Sequence, residues 1–201
     1  MSGVSAILLA AGESTRMGRL KALLPWQGAT LIEYQVSSLL DAGVSQLVVV
    51  VGHRGDEVGA PIAGRSDVTI VENPDYRQGK TTSIKAGLRA LSPDATAILV
   101  LAVDQPRPPD VLRTVIEAHL SRSPLITSPV YGGRGGHPMI FDASLLPELL
   151  AIAEESEGLR EVTRRHASDI YKLELDDPVV RADVNTPEDL QSALPLFEGR
   201  G

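Results

Sequence analysis

Short apolar runs alternate with longer stretches whose apolar positions recur at helical spacing. That succession predicts βαβ units around a mainly parallel sheet. Val4 to Ala11 (VSAILLAA) reads as a buried first strand and Leu31 to Ala42 as the helix that follows. Gln46 to Val51 (QLVVVV) is the clearest strand, Val68 to Val71 a shorter one, and Thr81 to Leu91 a helix. Ala97 to Val103 (AILVLAV) predicts another central strand, with a helix from about Asp110 to Leu120 behind it. Beyond that point the alternation loosens. Leu125 to Tyr131 and Met139 to Phe141 predict strands flanking a glycine-rich link, followed by helices over Leu145 to Glu154 and Leu159 to His166 and a strand near Ile170 to Leu175. Thr186-Pro187-Glu188-Asp189 opens the last helix, with Thr as N-cap and Pro in the first turn.

Composition narrows the class. The 201 residues are 43% hydrophobic and 22% charged, with no repeat, low-complexity tract or linker, which predicts one domain over residues 1–201. The absence of cysteine excludes disulfides, thiolate metal sites and a cysteine nucleophile. Lys plus Arg number 19 against 26 Asp plus Glu, for a net charge of −7, so the cationic surplus that neutralises nucleic-acid phosphates is missing. Aromatics at 3% do not supply a base-stacking platform. No apolar run approaches the roughly 18 residues of a membrane span, and Met1-Ser2-Gly3-Val4 places no basic region ahead of the first apolar stretch. The expectation is a cytoplasmic protein with neither nucleic acid nor membrane as partner.

In open parallel sheets ligands bind beyond the carboxyl ends of the strands, so the residues after each apolar run carry the chemistry. The first strand runs into Gly12-Glu13-Ser14-Thr15-Arg16-Met17-Gly18-Arg19-Leu20-Lys21. Glycine at a strand exit permits a tight turn and close approach to a ligand, and free N–H groups beside Arg16 and Lys21 suit phosphate oxygens. A P-loop is excluded, because five residues separate Gly12 from Gly18 and Ala22 follows Lys21; Gly-x-Gly-x-x-Gly is also absent. An ordinary strand-to-helix turn with solvated Arg and Lys fits the same residues.

Asp104 ends the strand at Val103-Asp104-Gln105-Pro106, and Asp183 precedes the final helix in Arg181-Ala182-Asp183-Val184-Asn185. Nucleotide-borne Mg²⁺ takes one or two protein carboxylates and fills its shell with phosphate and water. Capping of the turn before Pro106 is the alternative for Asp104, and Asp189 reads as cap rather than ligand. Asn73-Pro74 and Gly79-Lys80-Thr81-Thr82-Ser83 lead into a helix, where N–H groups and hydroxyls suit either a base edge or an N-cap. Gly132 to Pro138 (GGRGGHP) is the densest glycine cluster, a ligand-approach segment or a plain hairpin. His53, His119 and His166 read as structural or surface residues. No Ser-His-Asp constellation appears.

The run Leu9-Ala10-Ala11-Gly12-x-Ser14-x-Arg16-Met17-Gly18-x-x-Lys21-x-Leu23-Leu24-Pro25, extended by Trp26-Gln27-Gly28-x-Thr30-Leu31, resembles the signature loop of MobA-like nucleotidyltransferases. The likeness is strongest to molybdenum cofactor cytidylyltransferases, and Asp104-Gln105-Pro106, Gly-His-Pro at 136–138 and Asp183-Val184-Asn185-Thr186-Pro187-Glu188-Asp189 extend it over nearly the whole chain. It implies a Rossmann-like three-layer α/β sandwich with a mostly parallel, mixed central sheet. By the same resemblance Leu9, Ala10, Ala11, Gly12, Arg16, Lys21, Asn73, Gly79, Ser83 and Asp104 bind the nucleotide. Lys21, Arg16 and Asp104 are the implied catalytic residues, and Asp104 with Asp183 holds Mg²⁺. Gly136, His137 and Pro138 face the second substrate.

Val103 stands where many members have glycine, a departure that bears on room for the nucleotide sugar. The Ala10-Ala11-Gly12 form resembles the cytidylyltransferase branch, where guanylyltransferases typically carry Ala-Gly-Gly. The implied substrates are therefore a nucleoside triphosphate, CTP ahead of GTP, and a phosphorylated small-molecule acceptor, molybdopterin. Relatives with the same loop use sugar phosphates or other phosphorylated acceptors. An accessory that loads cofactor into a molybdoenzyme, with that enzyme or its chaperone as partner, is the further alternative.

Overall fold

The strongest apolar runs of the sequence become the middle of the sheet. A computed structural model of the chain describes residues 3–155 and 157–200. Its strands are β1 (Val4–Ala10), β2 (Pro25–Trp26), β3 (Ala29–Thr30), β4 (Gln46–Val51), β5 (Thr69–Glu72), β6 (Ala97–Ala102), β7 (Ile126–Tyr131), β8 (Arg134–Gly135), β9 (Met139–Asp142) and β10 (Ile170–Glu174). The helices are α1 (Leu31–Asp41), α2 (Gly55–Gly59), α3 (Lys80–Arg89), α4 (Pro109–Arg122), α5 (Leu146–Ala151), α6 (Leu159–Arg165) and α7 (Pro187–Ala193).

The main sheet has the order β10-β7-β9-β6-β1-β4-β5, with β8 paired to β7. Pairings β1–β4, β1–β6, β4–β5 and β7–β10 are parallel, while β9 runs antiparallel between β6 and β7. The expected mostly parallel, mixed sheet is thus the one observed. Period-two alternation sends Ala6, Leu8 and Ala10 to one face, against α1, α4 and the C-terminal segment, and Ile7 and Leu9 to the other, against α3, α5 and α6. Three layers result, and strands buried on both faces explain why β1, β4 and β6 read as continuous apolar runs.

Differences from expectation are local. The strand expected over Val68 to Val71 lies one residue later. The helix expected over Leu145 to Glu154 is a 3₁₀ turn at Ala143–Leu145 followed by α5, which stops at Ala151 where Ile152 turns extended (ψ 148°). The β2–β3 hairpin and α2 were not expected; at two and five residues they are too short to show a period. Thr186 caps α7 as expected, its hydroxyl accepting from the Asp189 N–H while Asp189 returns the bond to the Thr186 N–H, so Asp189 is cap machinery.

Candidate active site

Register levels the strand ends. Leu9 pairs with Ala102 and Ala10 with Val51, so the loop after β1 and the turn after β6 emerge side by side. The β1 loop is shaped by its own residues: Ser14 sits in the left-handed region (φ 57°), its Oγ accepts from the Lys21 N–H at 3.0 Å, and Met17 and Leu20 are buried beneath it. Lys21 is consequently held inward, 9% exposed. Its Nζ donates to Asp104 Oδ2 and to Asn185 Oδ1, both at 2.8 Å, and Arg16 Nη2 reaches the same Asn185 oxygen at 3.1 Å.

Asp183 enters through its neighbour. The Val184 N–H donates to the Asp104 carbonyl at 2.7 Å, which brings the segment before α7 against the turn after β6. The cleft walls withhold solvent from the Asp183 carboxyl and raise its pKa above the ordinary aspartate value; Arg107 opposes that rise and the Asp104 carboxylate adds to it. The Asp104 carboxylate is near enough to act on that of Asp183, and Lys21 Nζ donates to Asp104 directly. Hard oxygen donors of this kind match Mg²⁺ or Mn²⁺. Among the described residues no set of three His, Asp or Glu side chains forms a metal shell, so protein groups alone supply only part of one.

Two adjoining cavities flank these residues. The first, about 260 Å³, is lined by Leu9, Ala10, Ala11, Gly12, Ser14, Lys21, Lys80, Ser83, Val103 and Asp104, among others. The second, about 590 Å³, is lined by Lys80, Ser128, Gly136, His137, Glu154, Glu157 and Arg160 with apolar Ile84, Met139 and Leu159. Arg16, Asn73, Gly79, Pro138 and Asp183 belong to neither lining. Buried Asn73 instead donates to Ser83 Oγ and Thr82 Oγ1, both at 2.9 Å, and so orients the serine that does line the first cavity. Gly79 (φ 124°) lies under the Glu154 carboxylate, which accepts from the Thr81 N–H at the start of α3.

His137 carries an imidazole pushed down to about 4, chiefly by burial and further by the Arg107 and Lys80 cations, so it is neutral at physiological pH. The other histidines are structural: His53 meets the Tyr76 hydroxyl, His119 the buried Thr127 hydroxyl, and His166 the Glu148 carboxylate.

Three residues escaped the sequence reading. Asn185 stood inside a quoted motif, but only the fold shows its amide joining Lys21 to Arg16. Lys80 lines both cavities, and a lysine in the first turn of a helix, at the positive end of its dipole, was the available signal. Arg107 is fully buried, and nothing in the sequence around it marked that.

Residues 6–170 match the MobA-like NTP transferase domain. The molybdenum cofactor cytidylyltransferase of Escherichia coli is 29% identical over 198 residues, covering 98% of each chain. The nicotine blue oxidoreductase of Paenarthrobacter nicotinovorans is 34% identical over 200 residues, covering 95% of this chain and 96% of its own. Among solved structures, a nucleotidyl transferase from Methanothermobacter superposes with a TM-score of 0.83 at 28% identity, covering 98% of both chains. A Mycobacterium tuberculosis protein solved as a complex with manganese superposes with a TM-score of 0.77 at 27% identity, covering 96% of this chain and 99% of its own. The sheet that brings the β1 loop and the turn after β6 together is shared with a nucleotidyl transferase, and the chain belongs to the MobA-like NTP transferase family.

Proposed function

We propose that this protein transfers CMP from CTP to the terminal phosphate of molybdopterin and releases pyrophosphate. The observation that carries the reading is the hydrogen-bonded set in which Lys21 joins Asp104 to Asn185 and Arg16 reaches the same Asn185 oxygen, with Lys21 and Asp104 in the lining of the 260 Å³ cavity. Likeness over the full length to a molybdenum cofactor cytidylyltransferase favours this nucleotide and acceptor.

An acceptor phosphate oxygen attacks the α-phosphorus, the bond from that phosphorus to the bridging oxygen breaks, and pyrophosphate leaves. A phosphate monoester with a second pKa of about 6 is already ionised at neutral pH, so the attack needs no protein base. A neutral His137 agrees with this division of labour, since it positions the acceptor without taking a proton. The work left to the chain is orientation and charge. Lys21 and Arg16 direct N–H donors to the side where pyrophosphate develops charge. Ala10, Ala11, Gly12 and Ser83 border the nucleoside, with Asn73 fixing the serine rotamer. Gly136 and His137 border the acceptor in the second cavity, and the adjacent Pro138 follows a cis peptide bond.

Asp104 and Asp183 are the residues that would hold Mg²⁺, which when bound supplies positive charge to the triphosphate oxygens. Their hard donors and their approach through the Val184–Asp104 hydrogen bond fit that ion, and burial that disfavours a bare Asp183 carboxylate favours pairing it with a cation.

Calorimetric titration with CTP, GTP, ATP and UTP, with and without Mg²⁺, tests the assignment. Mg²⁺-dependent preference for CTP supports it. Preference for another triphosphate keeps the reaction class and changes the substrate, whereas binding of none of the four, with acceptor present or absent, overturns nucleotidyl transfer.

A further inference from the structure

Arg107 is completely buried, yet its guanidinium bonds no carboxylate among the described residues. Nε donates to the His137 carbonyl at 2.8 Å, Nη1 to the carbonyls of Pro106 (2.5 Å) and Ala182 (2.7 Å), and Nη2 to the Val180 carbonyl at 2.7 Å. Its main-chain N–H donates to Gln35 Oε1 at 3.2 Å, and Gln35 Nε2 donates to the Gln105 carbonyl at 2.7 Å. The fork is therefore anchored to the turn that carries Asp104 and reaches two other segments.

Burying a cation is costly unless every donor is occupied. A role confined to filling space would be met by an apolar side chain of similar length. What arginine adds is a rigid plane of five donors, which fixes the relative positions of the carbonyls it touches. Here those carbonyls belong to His137, in the wall of the second cavity, and to Val180 and Ala182, just before Asp183. The two segments also meet directly: the His137 N–H donates to the Val180 carbonyl at 2.8 Å, and a Cβ on Gly136 would lie 2.3 Å from that oxygen. The guanidinium charge is exerted on Asp183 first and on Asp104 next.

We propose that Arg107 is a positioning residue that locks the His137 segment to the Asp183 segment and to the Asp104 turn, so that the acceptor side and the nucleotide side of the site keep one fixed separation. The kinetic consequence rests on the nucleotidyl-transfer reading; the mechanical coupling does not. In-line transfer tolerates little displacement, and a misplacement of about 1 Å can cost on the order of 100-fold in rate.

The test compares the full chain with Arg107→Met, which keeps length and removes every donor, and Arg107→Lys, which keeps the charge and loses the plane. Backbone amide spectra of Arg107→Met should show Gly136, His137 and residues 182–184 shifting or broadening together while Gly12 and Ser83 stay in place. With CTP and molybdopterin, kcat should fall by about 30-fold or more and the acceptor KM should rise, with metal-free CTP affinity unchanged within about 3-fold. Arg107→Lys should fall between the two and serves as the readout where the methionine variant does not fold. Movement of one segment without the other, or wild-type kcat and acceptor KM in Arg107→Met, would overturn the inference. A wild-type chain that transfers no nucleotide defeats the reaction instead, and the amide spectra then decide the coupling alone.

Discussion

Lys21 and Asp104 stand 83 positions apart in the chain and meet at 2.8 Å, with side chains 11% and 26% exposed. One comes from the loop after β1 and the other from the turn after β6. The parallel pairing of those two strands makes the meeting possible, and the Asn185 amide, bonded to the same Nζ, completes it. A polyanion entering the cleft meets the cation and the carboxylate together.

Asp104→Asn keeps the shape of this contact and removes its negative charge. Steady-state pyrophosphate release should fall by about 100-fold or more, the magnitude associated with losing one preorganised charge-stabilising contact. The unfolding midpoint should fall, since the buried Lys21 ammonium loses its counter-charge, while the fold persists because Asn185 Oδ1 still accepts from Nζ. Near-normal turnover in this variant is the outcome that removes Asp104 from the mechanism.

Asp183 gives a prediction with a definite sign. Its carboxyl is held above the ordinary 3.8, so the native chain keeps a proton there at pH values where the unfolded chain has lost it. Stability from this group is present below about pH 3.8 and is lost as pH rises through the raised value. At neutral pH without metal its ionised form is a cost. Asp183→Asn should therefore raise the thermal midpoint of the metal-free protein at pH 7.5 and abolish the extra stabilisation given by Mg²⁺ with CTP. A lower metal-free midpoint, or an intact Mg²⁺ effect, contradicts this account.

His137 behaves in the opposite sense. With its imidazole depressed from 6.5 to about 4, the unfolded chain binds a proton across that interval that the native chain refuses, so stability falls as pH drops through it. Denaturant midpoints measured from pH 7 to pH 4.5 should fall less steeply in His137→Asn; His119, also depressed by burial, keeps part of the slope. Over pH 6.5 to 8.5 the same variant should leave the shape of the pH–rate profile unchanged. A profile that loses a limb with His137 would identify it as a titrating base.

Gly136 has no room for a side chain, because its Cβ would lie 2.3 Å from the Val180 carbonyl oxygen. Gly136→Ala should destabilise the fold by about 1–3 kcal/mol, the ordinary cost of overpacking. Gly79→Ala combines a positive φ of 124° with a Cβ 2.4 Å from the Glu154 carboxyl carbon. It should release Glu154 from the Thr81 N–H, and amide exchange at Thr81 would report that.

Apolar runs made the central strands legible, because β1, β4 and β6 are covered on both faces and short enough to stand out between helical segments. The last third of the sheet was less so: β9 is antiparallel, and four residues do not disclose which neighbours they pair with. Asp104 was readable because it closely follows β6, and Lys21 because it closes the motif of the loop after β1. Asn185 and Lys80 depend on contacts between distant segments. Arg107 was invisible for a physical reason, since a charged residue in a Pro-Arg-Pro-Pro run reads as solvated loop and only the surrounding carbonyls make its burial tolerable.

The most direct measurement of the central claim is the mass of the acceptor after incubation of molybdopterin with this protein, CTP and Mg²⁺. The account predicts a product heavier by one CMP unit, formed with one pyrophosphate per turnover and lost in Asp104→Asn. An unmodified acceptor, under conditions where the protein binds both CTP and molybdopterin, would contradict it.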